Sequence, residues 1–197
     1  MTDWENCYQT GQVFWDKGEP APVLRVLLEQ RPALFQGAVI VPGCGFGHDA
    51  RLLSAHGAKV TAVDIAPTAI KRARELDADC RIDFRETDLF NLPADLRGAF
   101  DVAWEHTCLS AMPPELRKKY ALGVASALKP EGIIVGIFYI NPDLDTGETG
   151  PPFPISTQQV IELWKSVGYD VQEQWVPEVA YPGREGRECF MILTPVA

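Results

Sequence analysis

The stretch AVIVPGCGFGHDARLL, residues 38–53, decides the fold of this 197-residue chain. Its apolar start predicts a buried β-strand, and the residues from His48 onward predict an α-helix. Gly43, Gly45 and Gly47 stand at alternating positions between the two. Glycine permits positive φ and a close approach of a ligand to the backbone, and the first N–H groups of a helix are unpaired. The stretch therefore predicts a strand–turn–helix unit that holds a nucleotide-bearing ligand.

Short apolar runs alternate with helical patterns along the rest of the chain. Strands are predicted at 38–42, 59–64, 81–88, 100–106, 132–140, 169–179 and 187–196. Helices are predicted at 48–57, 66–77, 113–130 and 157–168. This alternation indicates an α/β fold, a Rossmann-like, doubly wound sheet of seven strands with helices on both faces. We expect the sheet to be mostly parallel, with an antiparallel C-terminal hairpin formed by the last two strands.

The composition limits the partners and the location of the protein. A net charge of −9 argues against a nucleic-acid partner, because phosphate contacts select basic faces. The longest apolar run, GIIVGIFYI at 132–140, is too short to cross a bilayer, and the N-terminus lacks the apolar core of a signal peptide. The cysteines are scattered, and the histidines show no ligand spacing. We therefore expect a cytoplasmic protein with reduced thiols, no metal site and no membrane partner.

Two aspartates narrow the ligand of the glycine turn. The dinucleotide fingerprint GxGxxG needs a sixth-position glycine, where this chain has His48. Asp64 ends the second predicted strand, about twenty residues after the turn, where a carboxylate can accept both ribose hydroxyls. Asp88 ends the third predicted strand and can accept from an adenine amine. These residues predict an adenosine site without a phosphate requirement, which S-adenosylmethionine fits. The alternative is a tight turn whose aspartates only cap helices.

Further motifs follow in an order and spacing that characterise one family. They are DWENCY and FWDKGEPAP before the first strand, then VPGCGFGHD, VDIAPTAI, DLF, WEHTCLSAMPPELRKKY, LKPEG, GPPFPIS and GREGRE. In these motifs the chain resembles class I S-adenosylmethionine-dependent methyltransferases, and among them the thiopurine and plant halide/thiol methyltransferases. The resemblance covers nearly the whole chain and implies one methyltransferase domain over residues 1–197. Residues 1–37 would form an N-terminal helical lid segment, and 38–197 the sheet core.

The resemblance implies that aromatic side chains ahead of the first strand cover the cofactor, S-adenosylmethionine. Trp4, Tyr8 and Trp15 are the candidates. Trp4 and Tyr8 lie one helical turn apart in an otherwise polar segment, and indole faces attract a sulfonium cation. The alternative is that these rings pin the segment to the core. The full set of predicted cofactor contacts is Trp4, Tyr8, Trp15, Gly43, Gly45, Asp64, Ile65, Asp88, Leu89 and Glu105.

Glu105 and His106, at the end of the fourth predicted strand, are the predicted catalytic residues. The family often has Asp-Arg or Asp-Tyr at this pair, so Glu-His leaves the identity of the acceptor undetermined. An imidazole can take a proton from a thiol, whereas the alternative is a structural histidine held by hydrogen bonds. The resemblance adds Phe153, Arg184 and Arg187 to His106 as acceptor contacts. Alternatively, Phe153 packs on the sheet, and the arginines lie in a solvated turn.

These predictions combine into one reaction. We expect transfer of a methyl group from S-adenosylmethionine to a thiol, a thiopurine-like sulfur or a halide, with S-adenosylhomocysteine as the product. The alternatives are an O- or N-methyltransferase of small molecules and a non-catalytic sensor that binds an adenosine cofactor. His48 disfavours a nicotinamide-dependent oxidoreductase. The expected partner is a small-molecule acceptor, and the resemblance implies a monomer.

Overall fold

The computed structural model describes residues 2–79, 81–142 and 150–196. One sheet contains the strands β1 (Ala38–Pro42), β2 (Lys59–Asp64), β3 (Asp83–Glu86), β4 (Phe100–His106), β5 (Leu128–Tyr139), β6 (Tyr169–Trp175) and β7 (Glu188–Pro195). The α-helices of these residues are α1 (Trp4–Thr10), α2 (Pro22–Gln30), α3 (His48–Ala55), α4 (Pro67–Leu76), α5 (Cys108–Ala111), α6 (Arg117–Ala127) and α7 (Thr157–Lys165).

The strands are ordered β3-β2-β1-β4-β5-β7-β6 across the sheet. Neighbouring strands are parallel except at β7, which runs antiparallel to both β5 and β6. This confirms the predicted Rossmann-like, mostly parallel sheet of seven strands with an antiparallel C-terminal hairpin. Because β7 lies between β5 and β6, only β6 of the two hairpin strands forms an edge of the sheet.

Alternate residues of β1 face opposite sides of the sheet, as the twofold period of a strand requires. Val39 and Val41 belong to the core beneath α2, α3 and α4, where Leu27 and Leu53 are also buried. Ile40 belongs to the core on the other face, beneath α6 and α7. A parallel strand buried on both faces has to be apolar throughout, and the sequence AVIVP meets that requirement.

The strand order reverses at β1, whose neighbours are β2 on one side and β4 on the other. In an open parallel sheet, such a switch point leaves a crevice at the carboxyl ends of the strands, and ligands bind there. The glycine turn follows β1 directly, and Asp64 and His106 end the two neighbouring strands. The fold therefore brings the predicted site residues of three strands to one place.

Several predicted helix boundaries differ from the structure, most clearly those of the helix at 113–130. The helix predicted at 113–130 is a 3-10 turn followed by α6, and α6 ends at Ala127. Lys129 and Pro130 already belong to β5. A proline lacks the N–H that a helix needs, and the residue before it is pushed towards the extended conformation. The chain consequently enters the sheet earlier than its apolar run suggests.

The third predicted strand is also shorter than expected. It ends with β3 at Glu86, two residues before Asp88. The N–H of Thr87 donates to the carbonyl of Asp64 on β2, and Asp88 then begins a 3-10 turn. Asp88 therefore follows the strand instead of ending it, but it stays near the carboxyl edge of the sheet.

No helix in residues 2–79, 81–142 and 150–196 is long and apolar enough to cross a membrane. Within the same residues, no group of three or more His, Cys, Asp or Glu side chains is arranged to hold a metal ion. Free thiols are present at Cys7, Cys44, Cys108 and Cys189, and Cys80 lies outside the described part of the chain.

Candidate active site

The glycine turn bends the chain sharply between β1 and α3. Gly43 and Gly45 have φ values of 57° and 52°, in the left-handed region that glycine adopts without strain. A Cβ atom at Gly43 would lie 2.5 Å from Sγ of Cys108, and one at Gly45 would lie 3.0 Å from the hydroxyl oxygen of Tyr8. The turn therefore needs glycine for its backbone shape and, at Gly43, for space as well.

Asp64, the last residue of β2, ties this turn to the sheet. Its Oδ2 accepts a hydrogen bond from the N–H of Gly45 at 2.8 Å, and its Oδ1 accepts one from the N–H of Ala66 at 3.0 Å. Burial nevertheless raises the pKa of this carboxyl. A carboxylate offers about four acceptor sites. Asp64 thus keeps acceptor capacity for the hydroxyl groups of a ligand.

A cavity of about 630 Å³ opens at this end of the sheet. Small-molecule sites commonly measure about 300–1,000 Å³. The predicted cofactor residues that line it are Trp4, Tyr8, Trp15, Gly43, Asp64, Ile65, Asp88 and Leu89. A smaller cavity of about 110 Å³ borders Gly45. Gly43 and His106 line both cavities, so the glycine turn and the end of β4 are common to them.

Three aromatic rings from the segment ahead of β1 form an aromatic cover, which consists of Trp4, Tyr8 and Trp15. The rings of Trp4 and Trp15 meet edge to face with centroids 5.2 Å apart, and Tyr8 meets Trp15 in the same way at 5.7 Å. Tyr8 also packs on Phe46 of the glycine turn, at 5.2 Å. Since α1 contains no fully buried residue, these ring contacts attach it to the turn.

A polar contact holds α1 to α4. Both carboxylate oxygens of Glu5 accept hydrogen bonds from Thr68, in the first turn of α4. Oε1 accepts from the hydroxyl at 2.6 Å, and Oε2 accepts from the N–H at 2.9 Å. These bonds to Thr68 lower the pKa of Glu5. A negative charge is also favourable at the N-terminus of a helix. The N-terminal segment is therefore held both at the glycine turn and at α4.

Glu105 and His106 end β4 and point to opposite faces of the sheet. Glu105 is fully buried on the α6 side, where its Oε1 accepts from the N–H of Leu109 at 2.6 Å and from the hydroxyl of Tyr120 at 3.2 Å. Its Oε2 has no partner among the described residues. Burial raises the pKa of Glu105 to about 7. The buried position explains why Glu105 lines neither cavity.

His106 faces α3 and contacts Asp49. Its Nδ1 lies 2.9 Å from Oδ2 of Asp49, and the same Oδ2 accepts from the indole N–H of Trp104 at 2.8 Å. The His106 ring stacks on Tyr181 with centroids 5.9 Å apart and an interplanar angle of 23°. Burial opposes the charged imidazole, but the Asp49 carboxylate outweighs it and raises the pKa of His106. Nε2 is buried without a hydrogen-bond partner in the described part of the chain.

Arg184, in the connection between β6 and β7, also lines both cavities. Its guanidinium lies 4.5 Å from the ring centroid of Tyr139 and 5.6 Å from that of Tyr181. One guanidinium nitrogen lies 3.4 Å from a carboxylate oxygen of Glu188, the first residue of β7. The side chains of Arg184 and Glu188 are 12% and 3% exposed, so this ion pair is largely shielded from water. This part of the cavity wall thus holds a paired cation between aromatic rings.

A sequence profile of the thiopurine S-methyltransferases matches residues 1–187. The chain belongs to the thiopurine S-methyltransferase family. It is accordingly an S-adenosylmethionine-dependent methyltransferase, as the resemblance implied.

The names of three relatives of this chain mention different acceptors. A probable thiol methyltransferase 2 of Arabidopsis thaliana is 28% identical over 190 residues, which cover 94% of this chain and 81% of that protein. A thiocyanate methyltransferase 1 of Brassica oleracea has the same identity and coverage, 28%, 94% and 81%. A 2-heptyl-1-hydroxyquinolin-4(1H)-one methyltransferase of Mycobacteroides abscessus is 27% identical, over 86% of this chain and 71% of that protein.

Solved structures agree with the family fold. The 1,6-didemethyltoxoflavin-N1-methyltransferase of Burkholderia thailandensis, solved with 1,6-didemethyltoxoflavin and S-adenosylhomocysteine bound, superposes with a TM-score of 0.73. The match covers 99% of this chain and 86% of that one, at 19% identity. A SAM-dependent methyltransferase from Methanosarcina mazei has a TM-score of 0.71 at 18% identity, covering 90% and 99%. At such identities, the likeness concerns the fold alone.

Three predicted contacts do not line the cavities that the described residues form. Glu105 faces the interior, as described above. Phe153 donates its backbone N–H to the carbonyl of Ser110 at 2.6 Å. Arg187 donates to the carbonyl of Asn141 at 3.0 Å. The two cavities include Arg184 but neither Phe153 nor Arg187. Residues 143–149, in the loop that precedes Phe153, lie outside the described part of the chain.

Asp88 lines the larger cavity, but its side chain also caps a turn. Its Oδ1 accepts from the N–H of Phe90 at 2.8 Å, and its Oδ2 accepts from the side-chain amide of Asn91 at 2.6 Å. This is the capping role that the sequence left open for the aspartates. A contact between Asp88 and a cofactor stays a prediction, as do the other site assignments.

The sequence predictions missed Asp49, Tyr139 and Tyr181. Asp49 lies in the first turn of α3, where an acidic residue is common for reasons of the helix dipole alone. Its partner His106 is 57 positions away. Tyr139 ends β5, and Tyr181 lies in the connection before Arg184. The sequence could have indicated the two tyrosines only by their positions, at a strand end and in a loop near the carboxyl edge of the sheet.

Proposed function

We propose that this methyltransferase transfers its methyl group to the sulfur of a small acceptor, a thiol or a thiopurine-like compound. A halide is the other acceptor class that the proposal includes. The observation that carries the proposal is one cavity lined by Asp64, at the glycine turn, and by His106, at the end of the neighbouring strand β4. The family and the relatives named for thiol and thiocyanate methylation support a sulfur acceptor.

The residues of the larger cavity fit S-adenosylmethionine. In the proposed complex, the free acceptor capacity of Asp64 serves the ribose hydroxyls. Ile65, which is 49% exposed, and Leu89 offer apolar surface to the adenine. Gly43 has no side chain and lets the methionine portion approach the backbone. The aromatic cover attracts the sulfonium cation through its ring faces. Gly45 contributes by holding Asp64 in place.

S-Adenosylmethionine, when bound, supplies a methyl carbon that its sulfonium already activates. The protein has to align the acceptor with that carbon and to keep water away. The aromatic cover and the prolines Pro151 and Pro152 line the cavity. They would help both to align the acceptor and to keep water away. A thiol with a pKa of about 8.5 is mostly protonated at neutral pH, so it also needs a base. His106 is the imidazole at the cavity wall that can take this proton.

We also infer that the protein acts as a cytoplasmic monomer with a lid formed by residues 1–37 over a sheet core of 38–197. Its net charge of −9 disfavours nucleic acid as a partner or acceptor. The contacts of Glu5 and Tyr8 support the division, because α1 is held from outside the sheet core by a few side chains.

The second candidate function is O-methylation of a small molecule with an acidic hydroxyl group. The position of His106 favours it, since the same base would serve a hydroxyl as well as a thiol. The relative that is named for a hydroxyquinolone points the same way.

A product assay separates these proposals. The purified protein is incubated with S-adenosylmethionine and a panel of thiols, thiopurines, iodide and hydroxyquinolones, and S-adenosylhomocysteine is measured. We expect product with thiols or thiopurines. Product with hydroxyl compounds alone would support O-methylation instead. Tight binding of S-adenosylhomocysteine without turnover on any acceptor would contradict both and indicate a sensor.

A further inference from the structure

We propose that Asp49 is a positioning residue that orients His106, so that Nε2 of His106 takes the proton of a thiol acceptor that arrives neutral. This inference rests on the proposed sulfur methylation. It adds a role for Asp49. It also implies that, among sulfur and halide acceptors, the enzyme prefers thiols, which carry a proton on sulfur.

Asp49 is held firmly enough to orient another side chain. Its side chain is 12% exposed and accepts three hydrogen bonds. Oδ1 accepts from the N–H of Ala21 at 2.7 Å, and Oδ2 accepts from Trp104 Nε1 at 2.8 Å and faces Nδ1 of His106 at 2.9 Å. The three donors come from the start of α2 and from β4. Because these elements belong to the core, Asp49 cannot turn away from His106 without losing buried partners.

The contact with Asp49 decides which nitrogen of His106 can act as a base. A carboxylate only accepts hydrogen bonds, so the neutral ring carries its proton on Nδ1 and has its lone pair on Nε2. A carboxylate that fixes the tautomer of a histidine in this way also stabilises the imidazolium formed when the ring gains a second proton. Burial lowers the pKa of His106, but the Asp49 carboxylate raises it by more. The net rise agrees with this arrangement.

The other ring nitrogen is the one without a partner. Nε2 of His106 is buried and forms no hydrogen bond within the described residues, although His106 lines both cavities. Leaving a buried polar atom without a hydrogen-bond partner is unfavourable. A ligand that brings a proton to this atom removes that cost, whereas an aprotic anion does not. The unpaired nitrogen therefore favours an S–H acceptor.

The charges around His106 also favour a neutral acceptor. Asp49 faces the ring from α3, Arg184 and Tyr181 from the β6–β7 connection, and Glu188 from β7. Glu105 lies beside His106 on β4, and the other titratable groups that line the smaller cavity are Tyr8, Asp16, Lys17, Glu19, Cys44 and His48. The shielded cation, Arg184, is neutralised by Glu188, so it offers little to an anionic acceptor. A neutral thiol can bind beside His106 without adding a charge that lacks a counter-charge.

The atoms and charges of the step balance. The S–H bond of the acceptor breaks, and its proton goes to Nε2 of His106. The electron pair on the acceptor sulfur forms the bond to the methyl carbon. The bond from that carbon to the donor sulfur breaks, and its electrons remain on the donor as a neutral thioether. The positive charge of the sulfonium is thus replaced by the positive charge of His106, which lies beside the Asp49 carboxylate and releases its proton to solvent afterwards.

The test compares wild type with His106→Asn and Asp49→Asn on thiols of similar size whose pKa values run from well below to well above the assay pH. For protonated thiols, we expect His106→Asn to lower kcat/KM by about 100-fold or more. For thiols that are already ionised, the loss should be only a few-fold. Asp49→Asn should move the acidic limb of the kcat/KM profile to lower pH by about one unit or more, because the imidazole loses its anionic neighbour.

Nitrogen NMR of His106 tests the positioning without any acceptor. The wild type should show a proton on Nδ1 of the neutral ring, and Asp49→Asn should lower the pKa of the ring. The matched control is His56→Asn, at the exposed C-terminal end of α3, which should leave the profile unchanged. Circular dichroism and S-adenosylhomocysteine affinity show that each variant is folded.

The outcomes are distinguishable. An equal loss on protonated and ionised thiols in His106→Asn overturns the base role, and an unmoved pH profile and tautomer in Asp49→Asn overturn the positioning role. If Asp49→Asn does not fold, His106→Asn still decides the first point, and the tautomer of the wild type still decides the second. A wild type that methylates no thiol in the series contradicts the proposed function, and the base role with it.

Discussion

Two neighbouring residues at the end of β4 differ in their environment because a strand turns successive side chains to opposite faces. Glu105 enters the core beneath α6, where it accepts hydrogen bonds from Leu109 and Tyr120, whereas His106 meets Asp49 and the cavity. Burial keeps the Glu105 carboxyl protonated to unusually high pH. Its Oε1 caps an N–H at the start of α5, so we expect its charge state to affect folding.

Because the pKa of Glu105 is raised in the folded protein, its stability should depend on pH. The folded protein binds this proton more tightly than the unfolded chain, so the free energy of unfolding should fall as pH rises from about 4.5 to about 7. One pKa unit corresponds to about 1.4 kcal/mol, which limits this loss to about 3 kcal/mol. Glu105→Gln cannot ionise but keeps an oxygen for Leu109 and Tyr120. Urea unfolding across this pH range should give a flatter curve for the variant.

An exposed carboxylate provides the control for this measurement. Glu131→Gln, in the early part of β5, should follow the wild-type pH dependence. Parallel curves for Glu105→Gln and wild type would mean that the pKa of Glu105 is the same in the folded and the unfolded protein.

At the scale of elements, α1 differs from the other helices because it is attached by side chains and not by a buried face. It contains no fully buried residue, and its contacts are the ring packing of Tyr8 and the hydrogen bonds of Glu5 to Thr68. Such an element opens locally at lower free energy than the core does. We therefore expect the cavity that α1 borders to admit ligands while the sheet stays intact.

Removing the contact between Glu5 and Thr68 should loosen α1 selectively. In Glu5→Ala, we expect faster amide hydrogen exchange in residues 4–10 and faster dissociation of S-adenosylhomocysteine, with unchanged exchange in β1 and β4. The reason is that the ring contacts of Trp4 and Tyr8 then hold the helix without this polar contact. Glu75→Ala is the matched control, since it removes an exposed carboxylate of α4 that pairs with Arg72. Equal exchange in both variants would show that the rings alone hold α1.

At the scale of the whole molecule, the cavity joins residues from the N-terminal segment, from β2, from β4 and from the β6–β7 connection. A ligand that contacts all of them binds only the folded chain, so it stabilises the protein as a unit. Stabilisation by a ligand at one hundred times its Kd amounts to about 2.7 kcal/mol. For a domain of this size, that corresponds to a rise in Tm of roughly 5–10 °C.

Thermal unfolding can test the cofactor assignment on this basis. S-Adenosylhomocysteine should raise Tm by this amount, while NAD at the same concentration should not. Asp64→Asn should abolish most of the rise, because Asp64 is expected to accept from the ribose and already holds the N–H of Gly45. Asp79→Asn, at an exposed site, should keep the full rise. A rise with NAD, or an undiminished rise in Asp64→Asn, would contradict the assignment.

The parts of the fold with local signals could be predicted from the sequence. The strands expected at 38–42, 59–64 and 100–106 coincide with β1, β2 and β4, because an apolar run and a turn residue mark each end. The glycine turn and Asp64 follow from those boundaries. The contact between Asp49 and His106 does not, since it depends on how α3 packs against β4. The burial of Glu105 likewise depends on which face α6 covers.

The last strand of the chain, β7, lies inside the sheet between β5 and β6. During synthesis, β6 leaves the ribosome before β7, its neighbour in the sheet, has been made. Until β7 is made, the edge of β5 that β7 will pair with also stays unpaired. Unpaired edges of this kind are where nascent chains meet chaperones or one another. Glu188 arrives with β7, so Arg184 gains its buried counter-charge only at that moment. The ion pair between Arg184 and Glu188 in the cavity wall therefore cannot form before β7 has left the ribosome.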